Sequence, residues 1–226
     1  MTRPRIPAFE TLGDDLPVFP LDGVLLLPRG LLPLNVFEPR YLAMVEDALA
    51  GARLIGMIQP RPGSGPSSGN RRRANGPPAL YGVGCAGRIT SFDETDDGRY
   101  LITLTGLCRF RVAEEREVHR GYRRVRPDWS GFATDMAAGF TPEIDRDGLD
   151  QALVDYFQVA GLSADWDAIS QTPDERLVTS LAMICPFAPQ EKQALLEAKD
   201  LRERTRVMLS IIRMAIHAGP AGGMHH

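Results

Sequence analysis

One serine string, two lysines, four histidines and a few acidic clusters are the residues of this chain from which chemistry would be built. Gly65-Pro66-Ser67-Ser68-Gly69 offers Ser67 as a nucleophile. A serine nucleophile needs a base within hydrogen-bond reach and donors held ready for the developing oxyanion. The lysines are Lys192 and Lys199, far downstream, and Ser67 sits in the run RPGSGPSSGNRRRANGPP, which is poor in apolar residues and dense in Gly, Pro, Ser and Arg. That composition predicts a long, solvated surface loop over 61–78, a setting in which Ser67 stays inert. The phosphate cradle G-x-x-x-x-G-K-[ST] is absent, so P-loop ATP chemistry is excluded.

Metal and anion chemistry fare no better. His119 and His217 stand alone, and His225 and His226 close a Gly-rich tail. The acidic run Asp93 to Asp97 lacks the spacing of a calcium loop, and Asp97-Gly98 predicts a solvated hairpin turn there. Arg71 to Arg73 could meet a phosphate or an acidic partner; a solvated loop is the simpler reading. Cys85, Cys108 and Cys185 are far apart, with no CxxC pair. They predict buried free thiols, neither disulfides nor a zinc knuckle. No catalytic residue, metal ligand or cofactor-binding residue is expected.

The most distinctive short motif is Asn35-Val36-Phe37-Glu38-Pro39-Arg40-Tyr41. One reading places Phe37, Glu38, Arg40 and Tyr41 on a partner-binding surface. The other packs Phe37 and Tyr41 under a helix and leaves Glu38 and Arg40 as a local ion pair.

Bulk properties fit an ordinary globular protein. Of 226 residues, 43% are hydrophobic and 24% charged, enough to fill a sizeable core. A net charge of −3 gives no global attraction to nucleic acid or anionic lipid. The N-terminal MTRPRIPAFETLGDDLP has no apolar stretch of the signal-peptide kind, and no run reaches the ~20 apolar residues of a membrane span, so a cytoplasmic location is expected.

The elements that would position these residues divide the chain in two. Residues 14–130 carry short strand signals between Gly and Pro, and 143–217 carry helix formers at helical spacing. A tail over 1–13, a connector over 131–142 and a tail over 218–226 complete the division. Leu16 to Pro20, Val24 to Leu27, Leu34 to Phe37 and Leu54 to Ile58 read as short strands. Tyr81 to Phe92 and Tyr100 to Val112 read as longer ones, with Gly106 allowing a bulge and Arg116 to Arg126 forming a further, charged strand. Pro39 to Ala50 breaks the pattern with a helix, its apolar stripe Leu42, Val45, Ala48 and Leu49 stopped at Gly51. In the second half, Asp150 to Ala160 presents Leu153, Val154 and Phe157. Thr172-Pro173-Asp174-Glu175 has the pattern of a capping box opening a helix through Leu177, Leu181 and Ile184. Pro189 starts a short helix, and Asp200 with Glu203 caps a last one carrying Val207, Met208, Ile211, Ile212 and Ile216.

The segment LPVFPLDGVLLLPRGLLPLNVFEPRYLAMVEDAL, residues 16–49, resembles the opening of the N-terminal domain of the Lon protease family. Tyr81 to Ile89 resembles that domain's small-residue strand, Gly106-Leu107-Cys108-Arg109-Phe110 its G-x-x-R-F strand, and Gln193 to Glu197 with Arg204 to Arg206 its last helices. Four such segments in order, over roughly 14–215, make the resemblance specific. It implies an α+β fold: a six-stranded PUA-like pseudo-barrel with an inserted helix, followed by a helical bundle. It also implies a non-catalytic protein-binding module of the kind that occurs as short bacterial proteins. Its partners would be unfolded or exposed apolar protein segments, in connection with a proteolysis system. The family's catalytic serine lies in a string like Gly65–Gly69, but in another domain. The alternatives are an RNA-binding PUA-like module, for which no basic-aromatic interleaving is present, and a peptidase using Ser67.

Overall fold

The computed structural model describes residues 12–63, 77–137 and 143–218. The Gly65–Gly69 string, Arg71 to Arg73, His225 and His226 lie outside them. The chain forms two compact units, 1–138 and 139–226.

The first unit is a sheet that closes on itself. Its strands are β1 (Leu16–Pro20), β2 (Leu31–Val36), β3 (Leu54–Ile58), β4 (Val83–Glu94), β5 (Tyr100–His119) and β6 (Tyr122–Asp128), with helix α1 (Pro39–Ala50) between β2 and β3. The order is β2-β5-β4-β3-β1-β6, and β6 pairs back onto β5. Five strands thus make a ring, and β2 hangs from the first half of β5. All pairings are antiparallel except β1 with β3, whose connection passes through β2 and α1.

β5 is longer than its own pattern suggests because it has two sets of partners. Tyr100 to Thr105 pair with β2 on one side, and Arg111 to His119 pair with β6. The stretch expected as one charged strand, Arg116 to Arg126, is instead the end of β5, a turn and most of β6. Arg120 and Gly121, both at positive φ, make the two-residue turn between His119 and Tyr122. That turn type matches the strand twist and fixes the hairpin register. The β4–β5 turn falls at Thr95 to Arg99 as expected, with Gly98 at φ 78°.

Val24 to Leu27 is a second difference. It forms no strand, yet Leu25, Leu26 and Leu27 are buried. The segment is pressed against Gly106, where a Cβ would stand 2.0 Å from the Leu27 carbonyl oxygen. Gly106 also marks the expected bulge: Ala86 pairs with Cys108 and Gly87 with Gly106, leaving Leu107 extra. The ring is filled by Phe110, which is fully buried. A Cβ on Gly84 would come within 2.6 Å of the Phe110 ring, so the small-residue strand exists to make room for it.

Ser130–Met136, which begins one residue before the stretch expected as a connector, is a 3-10 helix held to β5. Asp135 accepts from Arg109 Nε and Nη2, both at 2.8 Å, and from the Arg109 backbone N–H at 3.0 Å. Both side chains are buried, and the guanidinium lies over the Phe132 ring at 4.8 Å. Gly106, Arg109 and Phe110 thus each have a packing role.

The second unit contains α2 (Arg146–Ala160), α3 (Trp166–Gln171), α4 (Asp174–Ile184), α5 (Pro189–Glu197) and α6 (Leu201–Ala218). Its core is Leu149, Leu153, Val178, Leu195, Met208 and Ile212. α2 starts earlier than expected because the Asp145 carboxylate accepts from Gly148 N–H at 3.0 Å. At the start of α6 the Asp200 carboxylate accepts from Glu203 N–H at 2.8 Å, and the Glu203 carboxylate accepts from Lys199 N–H at 2.7 Å. The capping box at Thr172 does not form in the expected way. Its hydroxyl donates backward to the Ala168 carbonyl at 2.7 Å, closing α3, and Pro173 opens α4 without a side-chain cap. Arg146 joins three helices by donating to Asp150, Asp174 and the carbonyls of Ile169 and Thr172. Val154 and Ile184, read from the sequence as core, are exposed, Ile184 to 80%.

Candidate functional site

The expected motif at Phe37 to Tyr41 is split by the fold. Pro39 supplies the first turn of α1, which turns Tyr41 inward and leaves Phe37 on the preceding loop. Tyr41 is buried and stacks on Phe19 at a ring separation of 4.2 Å. Burial pushes its phenol above the ordinary range; the nearby Arg40 charge opposes this only in part. Glu38 and Arg40 form an ion pair at 2.7 Å between half-exposed side chains, and the Arg40 guanidinium covers the Tyr41 ring at 4.5 Å. Phe37 is 65% exposed. Of the four, Phe37 is exposed, Glu38 and Arg40 pair with each other, and Tyr41 packs the helix on the sheet.

Sequence reasoning missed the surroundings of Phe37. Leu31 is 63% exposed, and Leu101 and Phe92 are also exposed. The register sets Leu31 opposite Thr105, Pro33 opposite Thr103 and Asn35 opposite Leu101 on one face, whereas Phe92 opposes Ile102 and belongs to the other face. The Phe92 and Tyr100 rings meet edge to face at 5.0 Å. Leu31, Pro33, Asn35, Leu101, Thr103 and Thr105 make an uncharged outer face. The signal was in the first half of β5, where Leu101, Thr103 and Thr105 alternate with buried residues and carry no charge, but only the pairing with β2 shows that no described strand continues the sheet beyond it.

β2 is the one described strand paired on a single side. Gly106 donates its N–H to the Gly30 carbonyl and accepts from Arg29 N–H, so its backbone polar groups face β2. Alternation along β5 then turns Leu104, Ile102 and Tyr100 toward Leu32, Leu34 and Val36. The polar backbone groups of Leu31, Pro33 and Asn35 therefore point to the open side. Pro33 has no N–H, which blunts the edge and limits self-pairing.

A second concavity, of about 270 Å³, lies between α1 and the β5–β6 hairpin. Several of its polar groups pair with acidic neighbours. Tyr122 Oη donates to Asp47 at 2.8 Å, Arg120 reaches Asp47 and Glu46 at 2.7 and 2.8 Å, and Arg124 reaches Asp15 at 2.8 Å. Burial and the Asp47 carboxylate push the Tyr122 phenol up to about 12. Burial alone would raise Asp47, but the donated hydrogen bonds of Tyr122 and Arg120 hold its carboxyl below the ordinary value. This network ties α1 to the hairpin, and His119 Nε2 also approaches Asp47, at 3.6 Å.

Lys192, in the second unit, is buried beside Cys185, and its Nζ donates to the Met183 carbonyl at 3.3 Å. Burial lowers its pKa and pushes the Cys185 thiol up to about 11. All three cysteines are free and buried, as expected, and burial pushes Cys108 up to about 12. No described helix is long and apolar enough to cross a membrane.

Comparison with known proteins gives a consistent picture. The family model of the ATP-dependent protease La (LON) substrate-binding domain matches residues 15–214. Lon protease 2 of Myxococcus xanthus is 26% identical over 94% of this chain, and Lon protease 2 of Sorangium cellulosum 27% over 88%. The chain spans about a quarter of the length of these relatives. A Lon N-terminal domain protein from Xanthomonas campestris superposes with a TM-score of 0.59 at 22% identity, over 87% of this chain and 97% of that one. The N-terminal domain of a Mycobacterium avium complex Lon protease gives 0.59 at 14% identity, over 88% and 98%. The match takes in neither the ATPase nor the protease part of Lon, and the chain belongs to the Lon substrate-binding domain family.

Proposed function

We propose that this chain binds exposed apolar segments of other proteins through the open side of β2, and carries out no chemistry on them. The observation that carries the reading is the coincidence of an unpaired strand edge with exposed Leu31, Phe37 and Leu101. An extended segment laid along β2 would gain backbone hydrogen bonds from Leu31 and Asn35, and would bury apolar side chains on the outer face. Family membership supports the reading, because the relatives are proteases whose matched domain is named for substrate binding. Segments bound here would be candidates for a proteolysis system.

The test is titration of the protein with an unfolded model protein and an array of extended peptides. Binding is expected in the micromolar range, weakened at least tenfold in Phe37→Ser and Leu31→Ser. Absence of binding at tens of micromolar across the set would overturn the proposal. Unchanged affinity in both variants would remove β2 from it.

A further inference from the structure

The charges around the open end of β2 are lopsided, and they select among apolar segments. Across the three strands, Asn35 pairs with Leu101, which pairs with Asp93. One step on, Val36 pairs with Tyr100, which pairs with Glu94. Two strand spacings, ~10 Å, therefore separate the edge beside Phe37 from the acidic β4–β5 hairpin. Tyr100 Oη also donates to Glu46 of α1, at 3.3 Å, which brings that helix's carboxylates to the same end.

Around this end stand Glu38, Glu46, Asp47, Asp93, Glu94, Asp96 and Asp97. Against them stand three arginines, each already engaged. Arg40 pairs with Glu38 at 2.7 Å, Arg99 with Asp97 at 2.8 Å, and Arg120 bridges Glu46 and Asp47. Among the described residues, these seven carboxylates outnumber the three guanidiniums by four, with His119 also 3.6 Å from Asp47, while the whole chain carries −3. Asp93, Glu94 and Asp96 are exposed and make no ion pair among the described residues. The field is felt locally: burial, then the charges of Glu46 and Glu94, raise the Tyr100 phenol.

We infer that the open end of β2 takes extended apolar segments flanked by lysine or arginine, in preference to neutral or acidic ones. The inference rests on the binding reading above and adds the charge of the partner. The apolar core of the segment covers Phe37, Leu31 and Leu101, while a basic flank reaches the unpaired carboxylates of the hairpin. At physiological salt the screening length is ~8 Å, so charges a strand or two away act on a docked segment but not at long range. An acidic flank, or a nucleic acid backbone, is repelled by the same carboxylates.

Three labelled peptides sharing one apolar core, with lysine, glutamine or glutamate flanks, test this by fluorescence anisotropy against the full chain. The lysine peptide is expected to bind roughly three- to tenfold more tightly than the glutamine peptide, and the glutamate peptide most weakly. The preference should shrink in high salt. It should vanish in the triple variant Asp93→Asn, Glu94→Gln, Asp96→Asn, with affinity for the glutamine peptide kept. That last measurement also shows that the variant is folded. Equal binding of all three peptides overturns the inference and leaves the binding reading standing. So does a lysine preference that persists in the triple variant. Binding of none of them removes the reading and the inference together.

Discussion

The two halves of β5 belong to one strand but differ in partners and in charge. From Arg111 to His119 the strand is rich in charge, closed by β6, and its carboxylates meet arginines: Glu115 with Arg123, and Glu114 with Arg126. From Tyr100 to Thr105 it has no charged residue and is bordered by β2, whose far side is open. Exposed cross-strand ion pairs are worth little in stability, about 0.2–1 kcal/mol each, but they occupy the surface and discourage other partners. The uncharged half lacks that protection. The contrast separates the part of the sheet that is closed by pairing from the part that ends in an edge strand.

Phe110 sits at the junction, so its loss should blur the contrast most. Phe110→Ala is expected to cost about 3–5 kcal/mol, because the surrounding glycines cannot fill the cavity. The measurement is denaturant unfolding followed by Trp129, whose ring meets Phe110 at 5.8 Å, in a Trp166→Phe background. Asp135→Ala comes next, at about 3 kcal/mol, since it strands the buried Arg109 charge. A loss under ~1 kcal/mol would show that the 3-10 helix does not hold the closed half.

Tyr122→Phe should be milder, about 1 kcal/mol at neutral pH, from the hydrogen bond to Asp47. Its clearer signature is in alkali. A phenol held near 12 when folded and near 10 when unfolded contributes stability that is complete below pH 10 and is lost between 10 and 12. The variant should lack that part of the decline. The part due to Cys108, which starts near 9, should remain. The smallest effect belongs to the open half. Leu31→Ser, at a 63% exposed position, should change stability by no more than about 0.5 kcal/mol while weakening segment binding. A large stability loss there would mean that the open face is structural after all.

Much of the fold is legible where local chemistry and pattern agree. Pro39 with the stripe to Ala48, Gly98 in its turn, and Asp200 with Glu203 at a helix start all name their own conformation within a few residues. Signals of this kind divide the chain into a strand-rich half and a helix-rich half, while the α+β barrel-then-bundle fold is what the family resemblance implies. The candidate site is less legible. The motif at Phe37 to Tyr41 stands out as a string, yet its members part ways, because a helix entered at Pro39 turns Tyr41 inward and leaves Phe37 out. Thr172 shows the same limit in miniature: its hydroxyl serves the helix behind it, though the string around it reads as the start of the next.

The sequence by itself determined the short-range choices, because propensity, capping and turn geometry depend on neighbours along the chain. It also excluded the P-loop and left Ser67 without a neighbouring lysine. The tertiary structure decided which apolar residues are covered. Val24 to Leu27 is buried without being a strand, and Ile184 is exposed though it sits at helical spacing. β5 is as long as its partners allow. The open side of β2 is a property of the sheet order. Periodicity says which side chains share a face, but whether another element covers that face depends on residues far along the chain.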